Sequence, residues 1–315
     1  MMKNYSIGID LGGTIIKTGL VLDNIIVAEI TLNAQSQKGL QQNLLPIEVA
    51  INNLLQQQQI TAANLKGIGS AFPGLVDSNA KKVLGINKKY DDAGEINLEQ
   101  WVQQKWKTNF FIDNDARMAA VGEWKFGAGK GCDNMVAITI GTGIGSAAII
   151  EGKLLRGKHF QAGVLGGHIS LNYKGNTCTC GNIGFAEAEA STWNISEKIK
   201  KDALFLSSKL ALEATLDFEC LFKLAKENDA LAVKIKNECL TIWSATFINL
   251  IHAYDPEIVV LSGGVLNSKD DIITPIQKQV DKYAWCPWGN VKVKASALIN
   301  KAAILGVTYC LENKL

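Results

Sequence analysis

Three apolar segments of this chain each break into glycines at their carboxyl end, and this feature restricts the fold more than any other. The strand-like runs are Tyr5 to Ile9, Met135 to Ile140 and Glu257 to Leu261, followed by turns with Gly12-Gly13, Gly141-Thr142-Gly143-Ile144-Gly145 and Gly263-Gly264. Apolar runs that end in glycine are typical of a strand followed by a tight turn. Because no Cβ stands in the way, phosphate oxygens can approach the N–H groups of such turns. The sequence therefore predicts two turns around a polyphosphate and a third over a nucleoside.

The composition predicts a globular protein with two sizeable domains. The chain has 315 residues, of which 47% are hydrophobic. Its net charge is +2, and only Arg117 and Arg156 are arginines among its 32 basic residues. Since a nucleic-acid surface clusters Lys and Arg, we expect no nucleic-acid partner.

The cysteines and the amino-terminal residues predict a cytoplasmic protein. Seven scattered cysteines do not form a disulfide framework, and reduced thiols are expected. The amino terminus runs directly into a strand, without the apolar region of a signal peptide. No apolar stretch approaches the roughly 18 residues of a membrane span, so we expect no membrane partner.

The periodicity along the chain predicts an α/β protein built from two similar halves. Residues 5–31 predict an antiparallel meander, and residues 40–59 predict an amphipathic helix. Further strands are expected at 66–71, 110–112 and from 258, and helices at 116–126 and along 187–254. The strand–turn–strand opening at Ile7 recurs at Ala137, which indicates a duplicated fold. Halves of this kind bind ligands in a cleft at the carboxyl ends of their strands.

The first two glycine turns each leave two interpretations open. Asp10 stands just before the first turn, a position that suits a Mg²⁺ ion bridging phosphates, with Thr14 as a further donor. The alternative is a Gly-Gly hairpin in which Asp10 is only a turn residue. Alternating glycines at 141–145 weaken a strand unless its backbone must approach something closely, although a structural bulge is the alternative there.

A second group of polar residues lies where a strand ends and a helix begins. In Asp113-Asn114-Asp115, short polar side chains are expected to cap free N–H groups, and we expect this role for Asp113. For Asp115 the capping role competes with that of a general base, which would accept the proton of a sugar hydroxyl as it attacks a γ-phosphoryl group. Asn114 can both donate to and accept from a neighbouring hydroxyl.

A glycine-rich segment contains a possible metal site. Cys178 and Cys180 form a Cys-x-Cys pair, and His168 lies ten residues before the first of them. Thiolates and an imidazole suit Zn²⁺, which prefers four such ligands, but only three are visible. Glu187 follows in the same segment.

The order of these motifs resembles the ROK family (repressor, open reading frame, kinase) of the sugar kinase/Hsp70/actin superfamily. The resemblance covers nearly the whole chain and rests on Asp10-x-Gly-Gly-Thr-x-x-Lys17, Phe72-Pro73-Gly74-Leu75-Val76-Asp77, Asn114-Asp115-Ala116, Gly167-His168, Cys178-x-Cys180-Gly181-x-x-Gly184-x-x-Glu187 and Ser262-Gly263-Gly264. It implies two actin-like (ribonuclease H-like) domains with a nucleotide and sugar cleft between them. The first would comprise residues 1–112 with a returning helix at 300–315, and the second residues 113–299.

The resemblance also implies an activity and a role for individual residues. The expected reaction is phosphorylation of a hexose or amino-hexose by ATP with Mg²⁺, in a homodimer, with Asp115 as the general base. The implied sugar contacts are Gly74, Asn87, Asn114, Asp115, His168 and Glu187. The implied contacts of ATP and its Mg²⁺ are Asp10, Gly12, Gly13, Thr14, Lys17, Gly141, Thr142, Gly143, Gly263 and Gly264.

Two residues depart from the family's pattern. Phe185 stands where a third zinc-binding cysteine is expected, so we expect a Zn²⁺ site of His168, Cys178 and Cys180 to be incomplete. Leu165 stands where glucokinase-like members carry a sugar-binding Glu, which leaves the sugar open.

Two other functions compete with a kinase. A sugar-responsive repressor would need a helix-turn-helix domain, and the few residues before Ile7 lead us not to expect one. A sugar-binding or regulatory protein without transfer chemistry remains the alternative, because of Phe185 and Leu165.

Overall fold

The computed structural model describes residues 4–86 and 89–315 of the chain. Its strands are β1 (Tyr5–Leu11), β2 (Ile15–Leu22), β3 (Ile25–Asn33), β4 (Leu65–Phe72), β5 (Leu75–Asp77), β6 (Lys82–Gly85), β7 (Asn109–Asn114), β8 (Met135–Ile140), β9 (Ile144–Ile150), β10 (Lys153–Leu154), β11 (Ile258–Ser262) and β12 (Lys292–Ala295). Its α-helices are α1 (Gln41–Gln57), α2 (Leu98–Trp106), α3 (Asp115–Phe126), α4 (Ala186–Ala190), α5 (Thr192–Lys201), α6 (Phe218–Lys226), α7 (Ala230–Tyr254), α8 (Ile273–Tyr283) and α9 (Ala302–Asn313).

The sheet of the first half has the strand order β3-β2-β1-β4-β7. β1 to β3 form the predicted antiparallel meander, which is confirmed, while β4 pairs in parallel with β1 and β7 pairs in parallel with β4. Parallel strands bring their carboxyl ends to one edge of a sheet. Asp10 pairs in register with Ala71, and Ala71 pairs with Asp113. The strand ends that carry Asp10 and Asn114 therefore meet at the same edge.

The sheet of the second half repeats this arrangement with the order β10-β9-β8-β11-β12. β8 pairs antiparallel with β9 and parallel with β11, which in turn pairs in parallel with β12. A glycine turn follows the central strand of each sheet, after β1 and after β8. The predicted duplication of one strand–turn–strand pattern is therefore confirmed.

The chain divides into two compact units whose boundaries differ from the predicted ones. One unit contains Met1–Gly131, Leu154–Val164 and Ala297–Leu315, and the other contains Cys132–Lys153 and Leu165–Ser296. Residues 113–131 belong with the first unit, because α3 packs closely on α9 and α9 lies against β1 and β4. The short segment 154–164 also belongs with the first unit.

The predicted helix at 40–59 is confirmed as α1, with its apolar residues Leu44, Ile47, Ile51 and Leu54 buried. The expected strands at 66–71, 110–112 and 258 are confirmed as β4, β7 and β11. The helical section predicted along 187–254 is confirmed and consists of the four α-helices α4 to α7. Among the helices described, none combines the length and hydrophobicity that a membrane span requires.

Candidate active site

The carbonyl groups of the turn after β1 are held by two buried side chains. The Tyr90 hydroxyl donates to the Gly12 carbonyl oxygen at 2.7 Å, and the Ser36 hydroxyl donates to that of Gly13 at 2.6 Å. Burial and the nearby charge of Asp10 raise the pKa of Tyr90 above its usual range, so its hydroxyl remains a donor. Within residues 4–86 and 89–315, the N–H groups of Gly13 and Thr14 find no hydrogen-bond acceptor. These two N–H groups are therefore available to an anion.

Asp10 lies beside this turn, and its surroundings favour the neutral form of its carboxyl group. Burial, followed by the charge of Asp115, raises the pKa of Asp10 to about 7, and Lys17 opposes this shift. Lys17 lies opposite Asp10 in the β1–β2 pair and is itself buried. In the described part of the chain no hydrogen bond reaches the Asp10 carboxylate. A bound cation would supply the missing partner, so the residue suits a Mg²⁺ ligand.

Asn114 connects three parts of the first unit. Its Oδ1 accepts the Arg117 N–H at 3.1 Å, which makes it the N-cap of α3. Its Nδ2 donates to the Gly74 carbonyl at 3.0 Å and to Asp115 Oδ1 at 3.1 Å. Gly74, Asn114 and Asp115 are thus joined by direct hydrogen bonds.

Asp115 is the first residue of α3 and is partly buried. Burial raises the pKa of Asp115 to about 6, while the Ala116 N–H, the Lys89 ammonium and the Asn114 amide oppose the shift. The Ala116 N–H donates to Asp115 Oδ1 at 2.8 Å. A carboxylate of this kind is ionised near neutral pH yet basic enough to take a proton in a reaction.

The capping role expected for Asp113 is wrong. Asp113 belongs to β7 and is fully buried, and its carboxylate pairs with both arginines of the chain. Arg117 Nη1 lies 3.2 Å from Oδ1 and Arg156 Nε lies 2.8 Å from Oδ2. Asp113 Oδ1 also accepts the Asn114 N–H at 2.7 Å. Asp113 therefore supports the strand end that carries Asn114 and Asp115.

The turn after β8 is held in the second unit by the start of α5. The carbonyl oxygen of Gly141 accepts the Thr192 N–H at 3.1 Å, and that of Thr142 accepts the Trp193 N–H at 3.2 Å. The Gly141 N–H donates to the Gly143 carbonyl at 2.9 Å, which closes the turn. As in the first unit, the carbonyl groups of the turn accept hydrogen bonds from neighbouring residues.

Glu187 packs directly against this second turn. Its Oε2 accepts the Ile144 N–H at 2.8 Å, and a Cβ on Gly143 would overlap the same carboxylate. A side chain at position 143 would therefore displace the Glu187 carboxylate from this place. Glu187 Oε1 is 3.9 Å from His168 Nε2, so the two predicted sugar contacts of this unit are neighbours.

The third glycine turn follows β11. Gly263 has a φ of 99°, and a Cβ there would overlap the Ile140 carbonyl oxygen at the end of β8. The Ser262 and Thr139 hydroxyls are hydrogen bonded at 2.6 Å, which joins the two strand ends. Gly264 begins a 3₁₀ turn, Gly264–Asp271. The second and third glycine turns thus lie at one edge of the second sheet.

The possible metal ligands come together in the second unit. The ligand atoms of His168, Cys178 and Cys180 all lie within 4.8 Å of one another. Phe185 is buried beside them, and its ring stacks on the His168 ring with centroids 4.9 Å apart at 21°. A closed Zn²⁺ site needs four donors, and the part of the chain that the structure describes supplies three. These residues do not fit a closed structural Zn²⁺ site.

The structure gathers the predicted residues into one group within each unit. The group in the first unit is Asp10, Gly12, Gly13, Thr14, Lys17, Gly74, Asn114 and Asp115. The group in the second unit is Gly141, Thr142, Gly143, His168, Glu187, Gly263 and Gly264, with Cys178 and Cys180 beside His168. Asn87 lies outside the described residues.

Known proteins are similar to this chain in sequence along nearly its whole length. Residues 6–314 match the ROK family. The chain belongs to the ROK family. The glucokinase of Thermotoga maritima is 31% identical and covers 100% of this chain and 99% of its own. The xylose repressor of Bacillus subtilis is 28% identical, covering 96% of this chain and 76% of its own.

A solved ROK structure extends this similarity to three dimensions. The ROK family glucokinase of Streptomyces griseus, in complex with glucose and AMPPNP, has a TM-score of 0.83 and 27% identity. The match covers 98% of this chain and 99% of that protein. The α/β architecture with two actin-like halves is therefore that of ROK sugar kinases.

Sequence reasoning missed three residues of the first unit. Tyr90 and Ser36 hold the carbonyl groups of the first turn, and Lys89 lies against Gly13. None of the three belongs to a recognisable motif. Polar residues inside a segment between two predicted strands were the only available signal.

The Phe185 position leads to a test of the metal site. Protein purified without added zinc should contain well under one equivalent of it, and a chelator should leave the melting temperature nearly unchanged, because a site short of one thiolate binds Zn²⁺ weakly. Phe185→Cys should raise the zinc content measured by elemental analysis, and Phe185→Leu should not. Stoichiometric zinc in the unmodified protein would mean that another group supplies the fourth ligand.

Proposed function

We propose that this ROK family member, an ATP-dependent sugar kinase, transfers the γ-phosphoryl group of ATP to a hydroxyl of a hexose or amino-hexose, with Asp115 as the general base. The observation that carries the proposal is the placement of two partly buried carboxylates, Asp10 and Asp115, beside a turn with free N–H groups. The similarity to glucokinases that span the whole chain supports the same reaction class.

On the nucleotide side, the first unit offers both donors and a carboxylate. The N–H groups of Gly13 and Thr14 would bind phosphate oxygens of ATP, as glycine-rich turns do in other nucleotide sites. Asp10 would hold the Mg²⁺ that neutralises charge on the phosphates. Lys17, opposite Asp10, keeps that carboxylate closer to its ionised form. The proposed nucleotide contacts of the second unit are Gly141, Thr142, Gly143, Gly263 and Gly264.

On the sugar side, Asp115 would accept the proton of the attacking hydroxyl. The amide of Asn114 orients the Asp115 carboxylate and links it to the loop at Gly74. In the second unit, His168 and Glu187 are the proposed sugar contacts, and the stacked Phe185 ring holds the imidazole of His168 in place. Asn87 is a further proposed sugar contact.

A coupled assay over a panel of sugars tests the proposed function. ADP formation should depend on ATP, on Mg²⁺ and on at least one sugar among glucose, mannose, fructose, N-acetylglucosamine and N-acetylmannosamine. Omission of the sugar gives the background rate of ATP hydrolysis. Absence of sugar-dependent turnover across a broad panel would contradict the proposal.

A second candidate function is sugar binding without phosphoryl transfer. Leu165 and Phe185 at two family positions, together with the similarity to the xylose repressor of Bacillus subtilis, favour it. Calorimetry would then detect a sugar that binds in the absence of ATP, whereas the coupled assay would show no turnover of that same sugar.

Replacement of Asp10 tests the proposed Mg²⁺ ligand. Asp10→Ala should raise the Mg²⁺ concentration for half-maximal activity by about tenfold, because the ion loses its protein ligand beside the phosphates. The apparent KM for ATP should rise with it. Asp91→Ala, which removes an exposed carboxylate of the same unit, is the matched control and should leave both values unchanged. If Mg²⁺ and ATP dependence are the same in Asp10→Ala and the wild type, Asp10 is a turn residue only.

A further inference from the structure

The Lys89 side chain occupies a specific place in the first unit. A Cβ built on Gly13 would lie 2.7 Å from both Lys89 Cε and Nζ. The ammonium group therefore rests on the turn whose Gly13 and Thr14 N–H groups have no acceptor within residues 4–86 and 89–315. Lys89 is partly buried rather than extended into solvent.

The chain next to Lys89 is tied to the same turn. The Tyr90 N–H donates to the Ser36 carbonyl at 2.7 Å, and the hydroxyls of Tyr90 and Ser36 bind the carbonyl oxygens of Gly12 and Gly13. Tyr90 is fully buried. The position of Lys89 relative to the turn is thus set by its neighbour and does not depend on the lysine side chain alone.

Three other basic residues of this unit already face carboxylates. Arg117 and Arg156, the only arginines of the chain, both pair with the buried Asp113. Lys17 is buried and stands opposite Asp10. Lys89, by contrast, lies against Gly13 of the turn with the free N–H groups, and its charge also lowers the pKa of Asp115.

We propose that the Lys89 ammonium binds the γ-phosphoryl group of ATP and stabilises the charge on it during transfer, an inference that rests on the proposed function. In this step the sugar hydroxyl oxygen bonds to the γ-phosphorus as the bond from that phosphorus to the β,γ-bridging oxygen breaks. The bridging oxygen leaves on ADP with the electron pair, and the hydroxyl proton passes to Asp115. Lys89 keeps its proton throughout and contributes charge only.

Steady-state kinetics of neutral variants test this role. Lys89→Met and Lys89→Gln should lower kcat by about a hundredfold, the usual effect of removing one group that stabilises transition-state charge. Lys89→Arg keeps the charge and should retain more activity than either neutral variant. Lys82→Met, which removes an exposed lysine of β6, is the control and should match the wild type. A kcat for both neutral variants within about threefold of the wild type overturns the proposal.

The difference between the affinities for AMPPNP and ADP distinguishes a contact with the γ-phosphoryl group from a merely structural role of Lys89. In the presence of Mg²⁺, Lys89→Met should bind AMPPNP about tenfold more weakly, yet bind ADP as the wild type does, because only AMPPNP carries a γ group. Equal weakening of both nucleotides, or of neither, overturns the role of Lys89. This titration stands even if the wild type phosphorylates no sugar, a result that would count against the proposed function instead.

Discussion

Asp115→Asn is expected to lower kcat by about a thousandfold while the affinities for sugar and nucleotide stay within about tenfold. The amide keeps the shape of the side chain, and its oxygen can still accept from the Ala116 N–H and from Asn114 Nδ2, which bind Asp115 Oδ1 at 2.8 and 3.1 Å. What the amide cannot do is take the proton of the attacking hydroxyl. Single-turnover and steady-state rates, with calorimetry for binding, measure both parts of the expectation.

Asp91→Asn is the matched control for this substitution. It removes an exposed carboxylate of the same unit and should leave kcat unchanged. If Asp115→Asn keeps more than about a tenth of the wild-type kcat, Asp115 is not the base, since general-base catalysis contributes roughly a hundredfold or more.

The pH dependence of kcat/KM should also report the ionisation of Asp115. Burial raises the pKa of Asp115 to about 6, and the base is active only when ionised, so kcat/KM for the sugar should fall as the pH drops through about 6 and level off above it. The rates are measured at saturating Mg²⁺ and ATP, so that protonation of free ATP does not contribute to the pH dependence of kcat/KM. The charge or hydrogen bonds of Asp10, Lys89 and Asn114 interact with this carboxylate. The apparent pKa read from the pH profile therefore describes the interacting residues together and not Asp115 alone.

The fold could be predicted because its signals are local. An apolar run that ends in glycine identifies β1, β8 and β11 with their turns, without knowledge of what packs against them. The repeat of this pattern also predicts the second sheet from the first. Helix α1 was equally clear, since its apolar residues recur at helical spacing.

The role of Asp113 could not be predicted, because one of its two arginine partners lies far along the chain. A short polar residue between a strand and a helix looks like a cap, and Asn114 does cap α3. The pairing with Arg156 joins residues 43 positions apart. The rarity of arginine in this chain was the one available signal, because both arginines are used for a single buried carboxylate.

The domain boundaries were missed for a similar reason. Residues 154–164 follow β10 in the chain, yet they belong with the first unit. The Arg117 guanidinium donates to the carbonyl oxygens of Leu155, Arg156, Phe160 and Ala162 in this segment. A long-range bond from one buried side chain to backbone carbonyls leaves no pattern in the sequence.

Loss of the Asp113 carboxylate should destabilise the protein strongly. Asp113→Ala is expected to lower the free energy of unfolding by about 3–5 kcal/mol, because it leaves the fully buried Arg117 guanidinium without its counterion. The melting temperature should fall by about 10 °C. Asp113→Asn keeps an acceptor for Arg117 and for the Asn114 N–H but loses the charge, so its loss should be intermediate. Thermal unfolding followed by circular dichroism measures these differences.

A surface ion pair of the same unit provides the comparison. Lys105 Nζ lies 2.9 Å from a Glu48 carboxylate oxygen, and the lysine side chain is 45% exposed. Glu48→Ala should therefore cost less than about 1 kcal/mol, since water screens such pairs and solvates the charge that remains. Each substitution removes one carboxylate, but the Asp113 carboxylate is fully buried and binds two arginines and the Asn114 N–H, so its loss should cost far more. If Asp113→Ala melts within about 2 °C of Glu48→Ala, the carbonyl oxygens around Arg117 satisfy its guanidinium without Asp113, and the carboxylate is not what stabilises the strand end below Asn114 and Asp115.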